Sequence, residues 1–431
     1  MRAALWLLAL FGIAVAVALF AGNNQAVVTL FWPPHRVDIS FNLAVLLLAG
    51  LFIVLYWALR ALSAVFSLPA EARRWRAQQK ERAMYGAMMD SLANLLAGRY
   101  IRATKLAQNA LAQEKSLGQI IDETGYGHAT GHSSNRSSQL RSLAHLLVAE
   151  SAQALQNRPL RDQHLQWALE SSLPRQEQGM REGVQLRAAR WSLDDRDGVS
   201  ALDWLSQMPQ GAARRTLALR LKLRAARQSR KTLQALDTAR LLAKHRAFSQ
   251  AAAQSIVRGL ALELLNDAHD PAQLQQAWTG LDDNERAMPE LVVHAASRLM
   301  ALHGDAHLAR SWILQVWDRA VRPDSDLVDS LRIKLITVLE SGLDSLDAPW
   351  LARIESAQQH RPRDANLQYL AGMAFMRRQL WGKARLLLQQ AAMGLQDVTL
   401  NRNAWLALAS LAEQRDDEPA AIDAYKRAAQ L

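Results

Sequence analysis

Histidines and carboxylates are the residue types here whose spacing could hold a metal or move a proton. His128 and His132 are four residues apart, as are His303 and His307. On a helix that spacing would place two imidazoles on one face, within reach of one metal ion. The first pair lies in Gly125-Tyr126-Gly127-His128-Ala129-Thr130-Gly131-His132, followed by serines and Asn135. Such a stretch argues against a fixed helix, so the spacing loses its geometric meaning. In the second pair, Gly304-Asp305 reads as the turn between two helices, with Asp305 near the positive end of the second.

Asp194, Asp195 and Asp197 form one acidic group, and Asp416, Asp417 and Glu418 another. Neither has calcium-loop spacing, and both fit carboxylates that cap a following helix. The glycines at 125, 127 and 131 carry one residue too many for a dinucleotide fingerprint and follow no strand. The chain has no cysteine, which excludes disulfides, thiolate catalysis and cysteine-held clusters. No nucleophile stands in a recognisable motif with a base, so a non-enzymatic protein is expected, with no cofactor required. The tryptophans fall mostly at helical core spacing.

What positions these residues is an all-α framework behind a membrane anchor. Two uncharged apolar runs, Ala3–Ala21 and Phe41–Leu59, are each 19 residues long. As helices they approach the thickness of a bilayer core. The first is too long for a signal-peptide core and no Ala-x-Ala site follows it, which favours two retained spans. Phe31, Trp32, Tyr56 and Trp57 suit the interfaces. Gln25–Ser40 alternates apolar and polar residues around Pro33-Pro34, which fits an external β-hairpin or an irregular polar loop equally.

Arg36 is the only Lys or Arg between the runs, whereas Arg60, Arg73, Arg74, Arg76, Lys80 and Arg82 follow the second. The positive-inside rule then places both termini in the cytoplasm. Those six residues are expected to meet the anionic membrane surface. The formal charge of +11 lies mostly beyond the anchor. No nucleic-acid-binding motif accompanies it, so nucleic acid is not an expected partner.

Beyond residue 70 the chain is rich in Ala, Leu, Gln and Arg, with breaks that mark antiparallel helix pairs. Gly372, Phe375, Ala384, Leu388 and Ala391 recur 37 residues later as Ala409, Ala412, Ala421, Tyr425 and Ala428. Together with Trp405 and Leu408 they match the tetratricopeptide repeat (TPR), with Ala421, Tyr425 and Ala428 expected on the inner face of the second helix. Weaker copies begin near Ala103, Ala149, Ala189 and Ser297, while 210–290 is helical by composition but fits poorly. The expected organisation is a transmembrane hairpin with a short periplasmic loop over 1–62, then a basic juxtamembrane helix over 63–97. A TPR-like α-solenoid follows over 98–431, with a flexible insertion about 117–139 and the clearest repeats at 365–394 and 402–431. Its groove would hold protein partners.

The order of these parts resembles the HemY family of proteobacterial inner-membrane proteins. Gly22–Trp32 (GNNQAVVTLFW), Leu95–Leu111 (LLAGRYIRATKLAQNAL) and Leu380–Ala391 (LWGKARLLLQQA) carry the resemblance. It implies a multi-pass inner-membrane protein, its C-terminal domain cytoplasmic, that acts in a late step of haem biosynthesis. The implied role is a scaffold that organises pathway enzymes at the cytoplasmic face. The alternatives are a direct haem or porphyrin carrier, with haem as ligand through residues the sequence does not identify, and a scaffold for lipopolysaccharide assembly.

Overall fold

Ala, Leu, Gln and Arg lose little side-chain freedom in a helix, and a chain rich in them is helical almost throughout. The computed structural model describes residues 2–22, 25–124, 131–171, 178–322, 324–325 and 327–431. They fall into two compact units, Met1–Val184 and Gln185–Leu431.

In the first unit, α1 (Arg2–Gly22) precedes β1 (Val27–Trp32) and β2 (His35–Ser40). The strands form an antiparallel hairpin, Val27 opposite Ser40 and Trp32 opposite His35. Pro33 and Pro34 occupy the turn, where no ladder N–H is needed. Ser40 then caps α2 (Phe41–Leu96), its hydroxyl accepting from the Leu43 N–H at 3.4 Å.

α2 is a single helix of 56 residues. The anchor expected over 1–62 and the juxtamembrane helix expected over 63–97 are not separate elements here, because α2 runs unbroken through Pro69 and joins the apolar run to the basic stretch. Proline removes only one intrahelical bond, and the Ala, Glu, Arg and Gln that follow sustain the helix. Among the described residues, Phe41–Ser63 is long and apolar enough to cross a membrane, and a shorter apolar stretch covers Leu8–Leu19.

Farther along, α2 packs on α3 (Tyr100–Thr124), which packs on α4 (Gly131–Ala154), and α5 (Arg158–Ser171) returns along α4. Small residues allow this close approach: Ala87 and Met88 meet Ala107, Ala110, Ala144 and Val148 in one buried cluster. The buried Ser91 hydroxyl donates to the Ala103 carbonyl at 2.8 Å. α3 and α4 extend deeper into 117–139 than its glycines and serines suggest. The cause is the buried Glu114 of α3, which accepts from Ser137 and Arg141 of α4 and holds the two helices together. Gly125 to Thr130, with His128, lies outside the described residues, as does the His132 side chain.

α6 (Gln178–Asp194) begins in the first unit and ends in the second. The second unit continues with α7 (Gly198–Ser206), α8 (Gln210–Ala213), α9 (Thr216–Gln228), α10 (Thr232–Lys244) and α11 (Gln250–Asn266). Next come α12 (Pro271–Thr279), α13 (Asp283–Arg286), α14 (Pro289–Ala301), α15 (Ala306–Ala320) and α16 (Asp329–Ser341). A 3-10 turn (Leu343–Ser345), α17 (Ala348–His360), α18 (Ala365–Arg377), α19 (Trp381–Gly394), α20 (Val398–Glu413) and α21 (Glu418–Gln430) complete it. One contiguous apolar core runs through the unit from Leu193 to Ala424. α9–α10, α14–α15, α18–α19 and α20–α21 are antiparallel pairs, and α11, α14, α16, α18 and α20 pack side by side as one wall.

One turn geometry recurs at the helix ends. Gly98 (φ 72°) and Gln156, Arg196, Arg230, Arg246, His303, Gln379 and Asp416 (φ 53–63°) all adopt the left-handed conformation. The following N–H reaches back across the turn: Lys231 to the Ala226 carbonyl at 2.9 Å, Gly304 to Leu299 at 2.9 Å, Leu380 to Phe375 at 2.9 Å. This double-bonded end satisfies carbonyls that the helix leaves open. Only one of the eight is glycine, although a side chain in that conformation costs about 1–2 kcal/mol. Gln379→Gly is therefore expected to stabilise the second unit by roughly 0.5 kcal/mol, after glycine's greater unfolded-state freedom is subtracted. The urea midpoint checks this.

Candidate functional site

In the last two helix pairs, packing follows side-chain size. Gly372 lies so close to α19 that a Cβ on it would meet Leu388 Cγ at 2.7 Å. Phe375, Ala384, Leu388, Ala391, Leu408, Ala409, Ala421 and Ala428 are buried, and Ala412 is half-buried. Trp405 is also half-buried, with the Arg427 guanidinium 4.7 Å above its ring. Tyr425 corrects the expected inner-face placement, since it is 42% exposed. α21 instead turns Ala421, Ala424 and Ala428 inward, and the Tyr425 hydroxyl donates to Glu413 of α20 at 3.0 Å.

On the anchor side, the Arg60 guanidinium donates to the Tyr56 hydroxyl at 3.1 Å. Arg76 and Arg82 are exposed on α2 and Lys80 is half-buried, whereas the side chains of Arg73 and Arg74 lie outside the described set.

The wall of alternate helices carries a buried polar knot. The Tyr369 hydroxyl of α18 donates to Glu340 of α16 at 2.5 Å, and the Asn403 amide of α20 donates to the same oxygen at 3.5 Å. Burial pushes the Glu340 carboxyl above the usual range, partly offset by these donors and by Arg377. Burial, with Glu340 beside it, also pushes the Tyr369 hydroxyl upward, so it remains a donor. Tyr369→Phe leaves Glu340 short of its main donor and is expected to cost about 1–3 kcal/mol. Glu340→Gln, which keeps an acceptor and removes the charge, should cost less. Thermal melts of both variants decide.

The first unit holds a histidine cluster that no sequence spacing announced. His145 of α4 and His164 of α5 face each other, Nδ1 to Nδ1, at 3.0 Å. The Trp167 ring lies 5.3 Å from the first and 4.9 Å from the second. One ring must donate and the other accept, so at least one is neutral. Burial, then His164 and Arg141, hold His145 down to about 4. Burial also lowers His164. Arg141 is bound to Glu114 through Nη2 at 2.6 Å and Nε at 3.2 Å. Arg141, His145, Trp167, Glu170 and Ser171 line an adjacent cavity of about 420 Å³.

Because the folded rings resist protonation, the unfolded chain binds more protons below pH 6.5. The cluster's contribution is complete above that pH and is lost as pH falls towards about 4. With screening at the partly exposed His145, the loss is on the order of 1 kcal/mol. Melts at pH 7 and pH 4.5 should show it, and His145→Asn should flatten the difference.

The other candidates are structural. His303 occupies a left-handed turn, while His307 stands at the start of α15, its N–H bonded to Asp305 at 2.8 Å. Asp197 and Asp417 cap α7 and α21, accepting from Ser200 at 2.9 Å and Ala420 at 3.3 Å. Among the described residues, no three His, Asp or Glu side chains gather as a metal site.

Comparison with known families now bears on the region from the hairpin through α3. Residues 27–122 match the family model described as HemY protein N-terminus. This is a HemY-family N-terminal region. It takes in β1, β2, α2 and nearly all of α3, and so includes the apolar helix and the helix that packs on its far end. No curated protein matches the chain. Among solved structures, the P58(IPK) TPR domain aligns with 77% of this chain and 99% of that one, at 14% identity and TM-score 0.22. The APC/C hetero-tetramer Cut9–Hcn1 covers 79% of this chain and 64% of that one, at 13% identity and TM-score 0.27. Naa15/Naa10 bound to HypK-THB covers 82% and 64%, at 12% identity and TM-score 0.25. At such TM-scores the likeness carries no argument, and the repeat reading rests on the packing described above.

Proposed function

We propose that the protein is a non-enzymatic scaffold, anchored in the bacterial inner membrane, that gathers partner proteins on a TPR-like helical array. One observation carries this reading: α2 is both the membrane-length helix and the first packing helix of the array. An anchor continuous with the array fixes partners beside the bilayer, and tethering makes their encounters local. In the finer reading α1 is a second span, the β-hairpin is external, and the helical units are cytoplasmic. The HemY-type N-terminal region supports a role in a late step of haem biosynthesis, with the pathway's enzymes as partners. Cross-linking in membranes followed by purification should recover haem-pathway enzymes, and recovery should depend on the second unit. Recovery of only lipopolysaccharide-assembly proteins would replace this reading with the envelope one.

A second reading, direct carriage of haem or a porphyrin, is favoured by the His145–His164–Trp167 cluster. Imidazoles held neutral suit an iron ligand, and the indole suits a flat aromatic face. The fit is incomplete, because Arg141, the cation best placed for a ligand carboxylate, is bound to Glu114. Titration with haem should then give a saturable Soret shift that His164→Ala abolishes. A linear, non-saturable titration removes this reading.

A further inference from the structure

The formal charge of +11 is gathered in one stretch of the second unit. Residues 204–262 hold twelve Lys or Arg against a single acid, Asp237, and the rest of the chain, with 39 of each sign, is neutral. The stretch runs from within α7 to within α11. On α9, Leu217, Arg220, Arg224 and Arg227 fall at helical spacing on one face, and all four are exposed. Arg214 precedes that stripe and Arg230 and Lys231 follow it, all three exposed as well. The Arg220 guanidinium donates to the Ala247 carbonyl at 2.9 Å. This bond places the turn after α10, with the exposed Lys244 and Arg246, beside the first half of α9.

Few of these charges are balanced. Arg240 is enclosed by Asp237, Asp282 and Glu285, and Arg258 binds Glu290 at 3.0 Å. On the stripe itself the acids stand farther off, Asp194 at 3.7 Å from Arg224 and Glu263 at 3.8 Å from Arg227. Both of those arginines stay more than half exposed. Arg214, Arg230, Lys231, Lys244 and Arg246 have no carboxylate partner among the described residues. The 13 residues of α9 span about 20 Å, so the row is long enough to meet several anions at once.

We propose that the exposed side of the α9–α10 pair is a second membrane contact, its cations set against the phosphates of anionic phospholipid headgroups. Charge complementarity selects an anionic surface, and exposed leucines among the cations select lipid. Leu217 on α9 and Leu233 and Leu241 on α10 can enter the boundary below the headgroups while the basic residues stay at its level. Headgroups also move laterally, so they can gather under cations spread along a helix. A single-stranded nucleic acid would call for exposed aromatic faces, and the aromatic rings of the stretch, Trp204 and Phe248, are half-buried. The inference needs only the anchor of the scaffold reading, which keeps a bilayer within constant reach.

The test uses the full chain in nanodiscs of phosphatidylcholine and asks whether the discs sediment with sucrose-loaded vesicles. Vesicles of mixed phosphatidylcholine and phosphatidylglycerol should carry them down, less so as salt rises, and vesicles of phosphatidylcholine alone should not. Arg214→Gln, Lys231→Gln, Lys244→Gln and Arg246→Gln together should lower affinity at least about tenfold. These four are exposed and unpaired, so the fold is not at risk, and unchanged melts confirm it. The same change at Arg363, Arg385, Arg402 and Arg415, exposed cations elsewhere in the second unit, should stay within about twofold of the parent. Equal sedimentation with both kinds of vesicle, unchanged affinity in the first variant or an equal loss in the second would each overturn the proposal. So would tighter binding of an alternating Glu-Ser peptide or a single-stranded oligonucleotide at equal charge concentration. Alkaline carbonate washing of membranes separates the two levels. If the full chain stays in the membrane but its discs ignore anionic vesicles, this contact falls and the anchor stands. If the chain washes off, the anchor falls, and with it the reason for a lipid occupant.

Discussion

Gly372→Val is expected to destabilise the second unit by about 3 kcal/mol, because α18 and α19 approach too closely there to admit a branched side chain. A Cβ at Gly372 would lie 2.7 Å from Leu388 Cγ, 3.0 Å from its Cδ2 and 3.3 Å from its backbone nitrogen. Leu388 is fully buried, so its side chain cannot swing clear, and a backbone atom cannot move alone. For a unit of this size the loss corresponds to roughly 6–12 °C in Tm. Gly382 on α19 is the control, with nothing within 4 Å of its would-be Cβ, and Gly382→Ala should stay within about 0.5 kcal/mol of the parent. Leu388→Ala opens a cavity and costs about 2–5 kcal/mol alone, yet combined with Gly372→Val it should cost much less than the sum. Equal melts for the Gly372 and Gly382 variants would show that the helices do not meet as described.

How far the sequence reaches is visible at this contact. Small residues at 372, 384, 391, 409, 421 and 428 announce places where helices cross, because only Gly and Ala let backbones come close. The alternation around Pro33-Pro34 fits a β-hairpin or an irregular loop equally, and only the pairing of Val27–Trp32 with His35–Ser40 decides for the hairpin. Helix ends were harder. Glycine is the usual left-handed residue, but Arg230, His303, Gln379 and Asp416 do the same work here, and tertiary packing overrides their preference. Continuity of α2 through Pro69 and the length of α3 and α4 within 117–139 were hidden for a related reason. Local signals say where a helix is weak, and contacts such as Glu114 with Arg141 decide whether it stops. The His145–His164 pair joins positions 19 residues apart on different helices, so no local spacing could disclose it.

Absence of native cysteine turns the remaining question, the number of spans, into a clean experiment, because every introduced thiol is then the only one. Thr29 lies exposed on β1, ahead of the apolar part of α2, and Arg99 lies exposed beyond the far end of α2. With the basic stretch held in the cytoplasm, a membrane-impermeant maleimide added to intact spheroplasts should label Thr29→Cys and leave Arg99→Cys untouched until the membrane is opened. Ala3→Cys then separates one span from two. If α1 crosses the membrane, that thiol is shielded like the one at 99. If only Phe41–Ser63 crosses, the segment ahead of it stays outside and labels with Thr29→Cys. The contrast should be nearly all-or-none, because moving a span's flanking charges across the hydrocarbon is far costlier than moving its apolar residues. Labelling of Arg99→Cys from outside would reverse the orientation of the array and remove cytoplasmic enzymes from its reach.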